Sequence, residues 1–288
     1  TAQSALGKVA IGLAFEFNRQ HELGLDQNGN AGKAFFAEAP AFVGKSVNSS
    51  ILSQSELTAK VVDPSKLTDS DFEVRFEKGA YSVLRLSDGS KVAQVVPDAT
   101  GAASLTYGGV EFNFKGVPQE NDNFVVRPTI GGAAGFAVLA NDVSQIAAGA
   151  PIATSAPLSN TGTGKISEGK VDSNFLDGAP TLPVTLSFNK DTGGLEGFPA
   201  GAMVTVTDSK GVAADPVPAD QVKFANGSTY SFSGVSVTLT GAPGNGDKFT
   251  IAANDGGIGD TRNIAALGAL QTKNIFNGGT ATLQSSYA

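Results

Sequence analysis

The stretch Gly109-Val-Glu-Phe-Asn-Phe-Lys-Gly-Val-Pro-Gln-Glu-Asn-Asp-Asn-Phe124 occurs in this chain twice, in a varied form. Residues 109–132 align without gaps on 234–257, which begin Gly234-Val-Ser-Val-Thr-Leu-Thr-Gly-Ala-Pro-Gly-Asn-Gly-Asp-Lys-Phe249, and eight of the 24 positions are identical. Each copy reads as a strand, a Gly-x-Pro-x-x-x-Asp turn and a returning strand that opens on Phe. The inward-facing alternation matches, Phe112 with Val237, Phe114 with Leu239 and Val126 with Ile251. Because side chains alternate faces along a strand, Phe124 and Phe249 are expected at equivalent buried positions of two similar modules. Two copies are too few for a solenoid.

Period-two patterning extends outward from both copies. Phe72–Phe76, Tyr81–Leu86, Val110–Phe114, Phe124–Val126, Val184–Phe188, Met203–Val206 and Val235–Leu239 are short runs rich in β-branched and aromatic residues. Asp88-Gly89, Gly108-Gly109, Gly193-Gly194 and Asn226-Gly227 supply turns between them. Strands at this spacing without helices between them predict antiparallel sandwich or barrel modules, not a doubly wound sheet.

The ends follow a different period. Leu6, Val9, Leu13 and Phe17 recur at three- and four-residue spacing, which predicts a helix from about Ala5 to His21 that stops at Gly24, Gly29 and Gly32. Asp260 is placed to N-cap a second helix bearing Ile264, Leu267 and Leu270. Thr280–Ala288 reads as the start of a third, and a chain opening on Thr1 reads as an excised piece. The expected fold is α+β, mainly β. Residues 1–45 plus 258–288 form a discontinuous helical base. Residues 46–150 form a first β module closed by a helix near 133–148, and 151–257 form a second. Neither apolar stripe is stable alone, since isolated helices of this length are marginal, so the two are expected to pack together.

Composition removes most chemistries. With no Cys there is no disulfide, thiolate metal site or thiol nucleophile, and the single His21 leaves little imidazole chemistry. A net charge of −7 spread along the chain offers nothing to nucleic acid. The runs Val9–Phe15 and Ala133–Ala140 are far shorter than the roughly 20 residues of a membrane span. Lys8 and the apolar run after it imitate a secretory leader, but no small-residue cleavage site follows before Glu16 and Asn18. No cofactor, metal or catalytic residue is expected.

Several motifs imitate sites. Asp26-Gln-Asn-Gly-Asn30 begins like an EF-hand, but Ala31 stands where Gly is required and Ala37 where a bidentate Glu is required. Gly256-Gly-Ile-Gly-Asp260 echoes a Ca²⁺ β-roll without tandem copies. Gly241, Gly244 and Gly246 lie in a hairpin turn with no helix to meet a phosphate. No Gly-x-Ser-x-Gly elbow accompanies His21, which reads as a helix-end polar residue. Asp69 with Asp71 reads as turn carboxylates, not a glycosidase pair. Asn48-Ser-Ser and Asn226-Gly-Ser are formal glycosylation sequons.

Three stretches resemble the flagellar hook-associated protein 1 family of bacteria, subunits of the hook–filament junction. The first is Phe17 to Phe36, with its Gln20-His21, Gly24-x-Asp26-x-x-Gly29 and Phe35-Phe36 elements. The second is Val62-Asp-Pro-Ser-Lys-Leu-Thr-Asp-Ser-Asp-Phe-Glu-Val-Arg-Phe76 with Tyr81 to Leu86. The third is Gly246–Ile251, Gly259-Asp-Thr-Arg-Asn-Ile-Ala-Ala-Leu-Gly-Ala-Leu-Gln271 and Gly278–Thr282. Residues 203–223 match none of the family's motifs. The resemblance implies an axial structural protein with helical inner and β outer domains, exported through the flagellar type III channel without a Sec signal. It implies hook protein, the second junction protein and copies of itself as partners, and no enzyme activity. The family's longer terminal helices, which polymerise, are mostly absent, so the chain itself is expected to be a monomer. The alternative function is a secreted β-rich adhesin or carbohydrate-binding module, which the absence of Trp disfavours, and a third is a hydrolase using unpaired acids.

Overall fold

The computed structural model describes residues 2–47, 49–255, 259–276, 279–282 and 285. It divides into two compact units: Thr1–Asn18, Phe35–Leu139 and Gly268–Ala288 in the first, Arg19–Ala34 and Ala140–Leu267 in the second. Segments expected to form one helical base are thus distributed between both units.

Helix α1 (Ala2–Glu22) opens the chain. The first unit then runs through β1 (Phe42–Lys45), β2 (Glu56–Val61), β3 (Phe72–Glu77), β4 (Ala80–Arg85), β5 (Lys91–Val95), β6 (Ala103–Tyr107), β7 (Val110–Lys115) and β8 (Asn123–Arg127). One antiparallel sheet has the order β1-β8-β3-β4-β5 and the other β2-β7-β6. The inward residues of both sheets, among them Val74, Tyr81, Phe112, Phe114, Phe124 and Val126, form one core, as alternating strands packed face to face require.

The second unit contains β9 (Ile152–Ser155), β10 (Lys165–Ile166), β11 (Lys170–Val171), the short α2 (Asn174–Gly178), β12 (Val184–Asn189), β13 (Gly194–Glu196), β14 (Met203–Thr207), β15 (Val217–Pro218), β16 (Ser228–Phe232), β17 (Val235–Thr240) and β18 (Lys248–Ala253). Its sheets are β9-β18-β12-β13 and β10-β17-β16-β14-β15, with β11 also on β17. Helix α3 (Arg262–Ala269) and the hairpin β19 (Asn274–Phe276) with β20 (Ala281–Thr282) follow.

The repeat is topological as well as sequential. Phe124 on β8 pairs with Val74 on β3, and Phe249 on β18 pairs with Leu186 on β12. Both rings are buried in their own cores. β6 and β7 correspond to β16 and β17, each pair joined by a two-residue turn with both φ positive: Gly108-Gly109 at 56° and 77°, Ser233-Gly234 at 47° and 77°. That is the type I′ geometry that matches strand twist. The modules also diverge: β5 pairs with β4 whereas β14 crosses to the opposite sheet between β16 and β15, and β10 and β11 share β17 where β2 alone pairs with β7.

The repeated turns share a carboxylate clamp. Asp122 accepts from the Gln119 amide at 2.9 Å and the Ser55 hydroxyl at 2.7 Å. Asp247 accepts from the amides of Gly244 at 2.7 Å, Thr161 at 2.7 Å and Gly162 at 2.9 Å. Each buried carboxylate thus ties its turn to a segment that enters the module earlier.

Two helix expectations are corrected. Residues 133–148 hold no α-helix: turns occupy 130–135, Phe36 bridges Val138, and only Val143–Gln145 makes a 3-10 turn on Asp142. The alanine and glycine run there lacks an apolar stripe, so no face could be buried to stabilise a helix. In 280–288, Ala281–Thr282 form a strand, while 283–284 and 286–288 lie outside the described residues.

Candidate functional site: the terminal helix and its latches

The buried face of α1 differs from the stripe expected from apolar spacing. Leu6 is 48% exposed, Leu13 and Phe17 are half-buried, and of that stripe only Val9 is buried. The buried seam includes Ser4, Gly7, Ile11, Ala14, Asn18 and His21, at alternating intervals of three and four. Mostly small or polar residues make this seam, because close backbone approach and hydrogen bonding, more than greasy bulk, hold the helix.

In the first unit Gly7 lies on the Thr129 carbonyl and beside Gly132, leaving no room for a Cβ. Gly12 sits on the Phe276 ring, and Val9 joins Ile275 and Phe276 in a small cluster. Glu16 receives Lys273 at 3.2 Å, so α1 and the segment after α3 meet in this unit. Gly7→Ala should lower the melting temperature even though Ala is the better helix former by about 1 kcal/mol, since its methyl strikes backbone. Gly268→Ala in α3, where the new methyl meets nothing within 4 Å, should raise stability by about 0.5–1 kcal/mol. A rise in both variants by calorimetry would contradict the close approach at Gly7.

Asn18 is the first latch. Its Oδ1 accepts from the amides of Phe35 and Phe36, both at 2.8 Å, and its Nδ2 donates to the Phe36 carbonyl at 2.8 Å. The side chain thereby substitutes for a β-strand partner. It positions Phe35 and Phe36 against Phe17, with ring centroids 5.1 and 5.0 Å away, and Phe36 stacks on Phe136 at 4.6 Å.

His21 is the second latch and lies in the second unit. The Ala147 amide donates to Nε2 at 2.9 Å, which fixes the proton on Nδ1, and that nitrogen donates to the Lys33 carbonyl at 2.6 Å. Burial holds its pKa below the ordinary imidazole value, against the opposing effect of the Lys33 hydrogen bond. Protonation would set an N–H against the Ala147 N–H. Because the folded pKa is depressed, the latch is fully present above the unfolded value of 6.5 and is lost as pH falls through it toward the folded value. Urea melts between pH 8 and 5.5 should show stability falling with acidity in this window, and His21→Gln should flatten the slope. Equal slopes in the two proteins would sink this assignment.

Gln20 completes the arrangement by donating to Asn263 Oδ1 at 2.7 Å, while Asn263 Nδ2 donates to the Ala147 carbonyl at 2.7 Å. Within the second unit the end of α1 and the start of α3 therefore grip the same segment, Ala147–Ala148. Leu267 and Leu270 are buried but Ile264 is 46% exposed. Asp260, expected as the N-cap, stands one residue before that position because α3 begins at Arg262: it accepts from the Arg262 amide at 3.0 Å and pairs with the Arg262 guanidinium at 2.8 Å. That guanidinium, helped by the Arg262 and Ala150 amides, outweighs burial and lowers the Asp260 pKa to about 2. Apolar periodicity could not reveal Asn18, Gln20 or Asn263. The three–four recurrence of small and polar residues on α1 was the signal available.

The look-alike motifs have structural employment. Asp26 accepts from the amides of Asn28 and Asn30 and closes a hairpin loop in which Leu25 bridges Ala31 and Gly149. Asp69 pairs with Lys8 at 3.6 Å and Asp71 with Arg127 at 3.7 Å. Asn226 accepts from the Gly241 amide. Among the described residues no group of three or more His, Asp or Glu is placed to hold a metal, while Asn48 and Gly256–Ile258 lie outside them.

Comparison with known proteins places three domains of one family along the chain. Residues 1–36 match the flagellar hook-associated protein FlgK helical domain, 45–128 the D2-like domain of flagellar hook-associated protein 1, and 151–253 its D3 domain. The last match includes 203–223, which motif reading left unplaced. The chain is 33% identical over 146 residues to flagellar hook-associated protein 1 of Escherichia coli K12 and 31% identical over 145 residues to that of Salmonella typhimurium, each alignment covering 50% of this chain and 26% of the relative. The structure of the flagellar hook junction protein FlgK from Burkholderia pseudomallei superposes with a TM-score of 0.84 at 32% identity, covering 99% of this chain and 54% of that one. The chain thus spans about half of that structure and about a quarter of the curated relatives.

Proposed function

Because this chain belongs to the flagellar hook-associated protein 1 family, we propose that it is a structural, non-catalytic part of the hook–filament junction of the bacterial flagellum, outside the cell. The observation that carries this reading is the packing of α1 against the segment after α3 in the first unit, where Val9, Gly12 and Glu16 of α1 receive Ile275, Phe276 and Lys273. A chain that returns to its first helix after the β strands can carry β modules on a shared helical support within an assembly. In this reading Leu6, Val9, Leu13 and Phe17 together with Ile264, Leu267 and Leu270 serve a discontinuous helical base, residues 1–45 plus 258–288. The β modules face solvent. Partners are hook protein, the second junction protein and further copies of the same subunit, and export proceeds through the flagellar type III channel without a Sec leader.

Gold-labelled antibody against the β modules, applied to intact flagella of the source bacterium, tests this. Label confined to a narrow band between hook and filament is expected. Label along the whole filament, or only on the cell body, would overturn the proposal.

A further inference from the structure

Among its described residues the first unit carries both an exposed apolar projection and an open apolar cavity. On the loop after β1, Val47, Ile51 and Leu52 are 98%, 100% and 75% exposed. No charged residue occurs between Lys45 and Glu56. The cavity, of about 210 Å³, lies between α1 and β2. Buried Ile11, Ala14, Val61 and Gly132 form its floor, small side chains such as Ala10 and Ala59 line its walls, and Glu38 and Lys60 stand exposed at its rim. An apolar cavity of about 150 Å³ already accommodates benzene, so this one has room for a branched aliphatic side chain.

We propose that Ile51, flanked by Val47 and Leu52, inserts into this cavity on a second copy of the chain. This rests on the reading that the protein is a subunit of an axial assembly. Full exposure of Ile51 means that it fills nothing among the described residues of its own copy. Charge permits the docking, for the uncharged loop brings no ion into an alanine-lined hole, and the rim charges stay in water. Area determines the kind of assembly. The projection offers on the order of 400–500 Å² of surface, below the roughly 600 Å² per partner of a stable two-body interface. One such contact does not hold a dimer. Knob and hole are different patches, so the contact is heterologous: each copy uses both, and the contacts run on into a ring or helix, where many add up.

These 288 residues hold no Cys, and any Cys elsewhere in the full-length protein is first replaced by Ser, so that engineered pairs report without background. Leu52→Cys on the loop and Lys60→Cys at the rim, placed together in the full-length protein of the source bacterium, should give multimers when isolated hooks are oxidised with copper phenanthroline. Val96→Cys with Lys60→Cys, an exposed position outside the loop, should leave monomers. Adding Ile51→Asp to the first pair should abolish the multimers without lowering the melting temperature, because the side chain is fully exposed among the described residues of its own copy. Monomers from Leu52→Cys/Lys60→Cys in hooks that retain the subunit, or multimers that survive Ile51→Asp, overturn the contact while leaving the junction reading intact. If hooks carry no subunit, the junction reading fails, and the same oxidation of the concentrated purified full-length protein decides the contact: multimers keep it and monomers overturn it.

Discussion

Phe249→Ala is expected to destabilise the second β module by about 3–5 kcal/mol, and Phe124→Ala to do the same to the first. Both rings are buried at matching registers in cores otherwise filled by aliphatic and aromatic side chains, so truncation leaves a cavity in each. Each core draws on its own two sheets, and the loss should stay in one module. Urea unfolding followed by amide exchange would show strands β3, β7 and β8 weakened in the first variant and β12, β17 and β18 in the second. Equal weakening of both modules by either substitution would disprove that they are separate cores. A cost under about 1 kcal/mol would disprove the equivalence of the rings.

Asn18→Ala should cost about 3–5 kcal/mol in the first unit, a surface-like substitution by sequence but not by structure. It strands the Phe35 and Phe36 amides and the Phe36 carbonyl at once, and each of these partly buried groups costs at least about 1 kcal/mol when left unpaired. The aromatic cluster of Phe17, Phe35, Phe36 and Phe136 should lose its order with it. Asn18→Asp retains the acceptor for both amides and should cost less. Amide exchange at Phe35 and Phe36 measures this directly, and unchanged protection in Asn18→Ala would refute the latch.

The strand runs were legible because alternation is a local property. Phe72–Phe76, Val110–Phe114, Val184–Phe188 and Val235–Leu239 all lie in strands with their apolar residues inward. Runs such as Lys91–Val95 and Lys165–Ile166 were not, since edge strands bury too little to need a clean pattern. The switch of β14 to the opposite sheet left no trace either, because pairing partners are chosen by closure of the core and not by the strand's own residues.

The sequence by itself determined the class of fold, the doubled hairpin, the exclusion of thiol chemistry and the family, because alternation, composition and motif spacing are written in local order. Tertiary structure alone decided which face of α1 is used. Leu6 reads as core yet lies half in solvent, while Gly7, Asn18 and His21 read as breaks or polar surface yet are buried. The physical reason is that hydrophobicity scales score a residue alone. What buries Gly7 is a carbonyl from residue 129, and what buries His21 is an amide from residue 147 with a carbonyl from residue 33. Such partners exist only after the chain has folded, when close approach and paired hydrogen bonds outweigh the apolar area that Leu6 could have hidden.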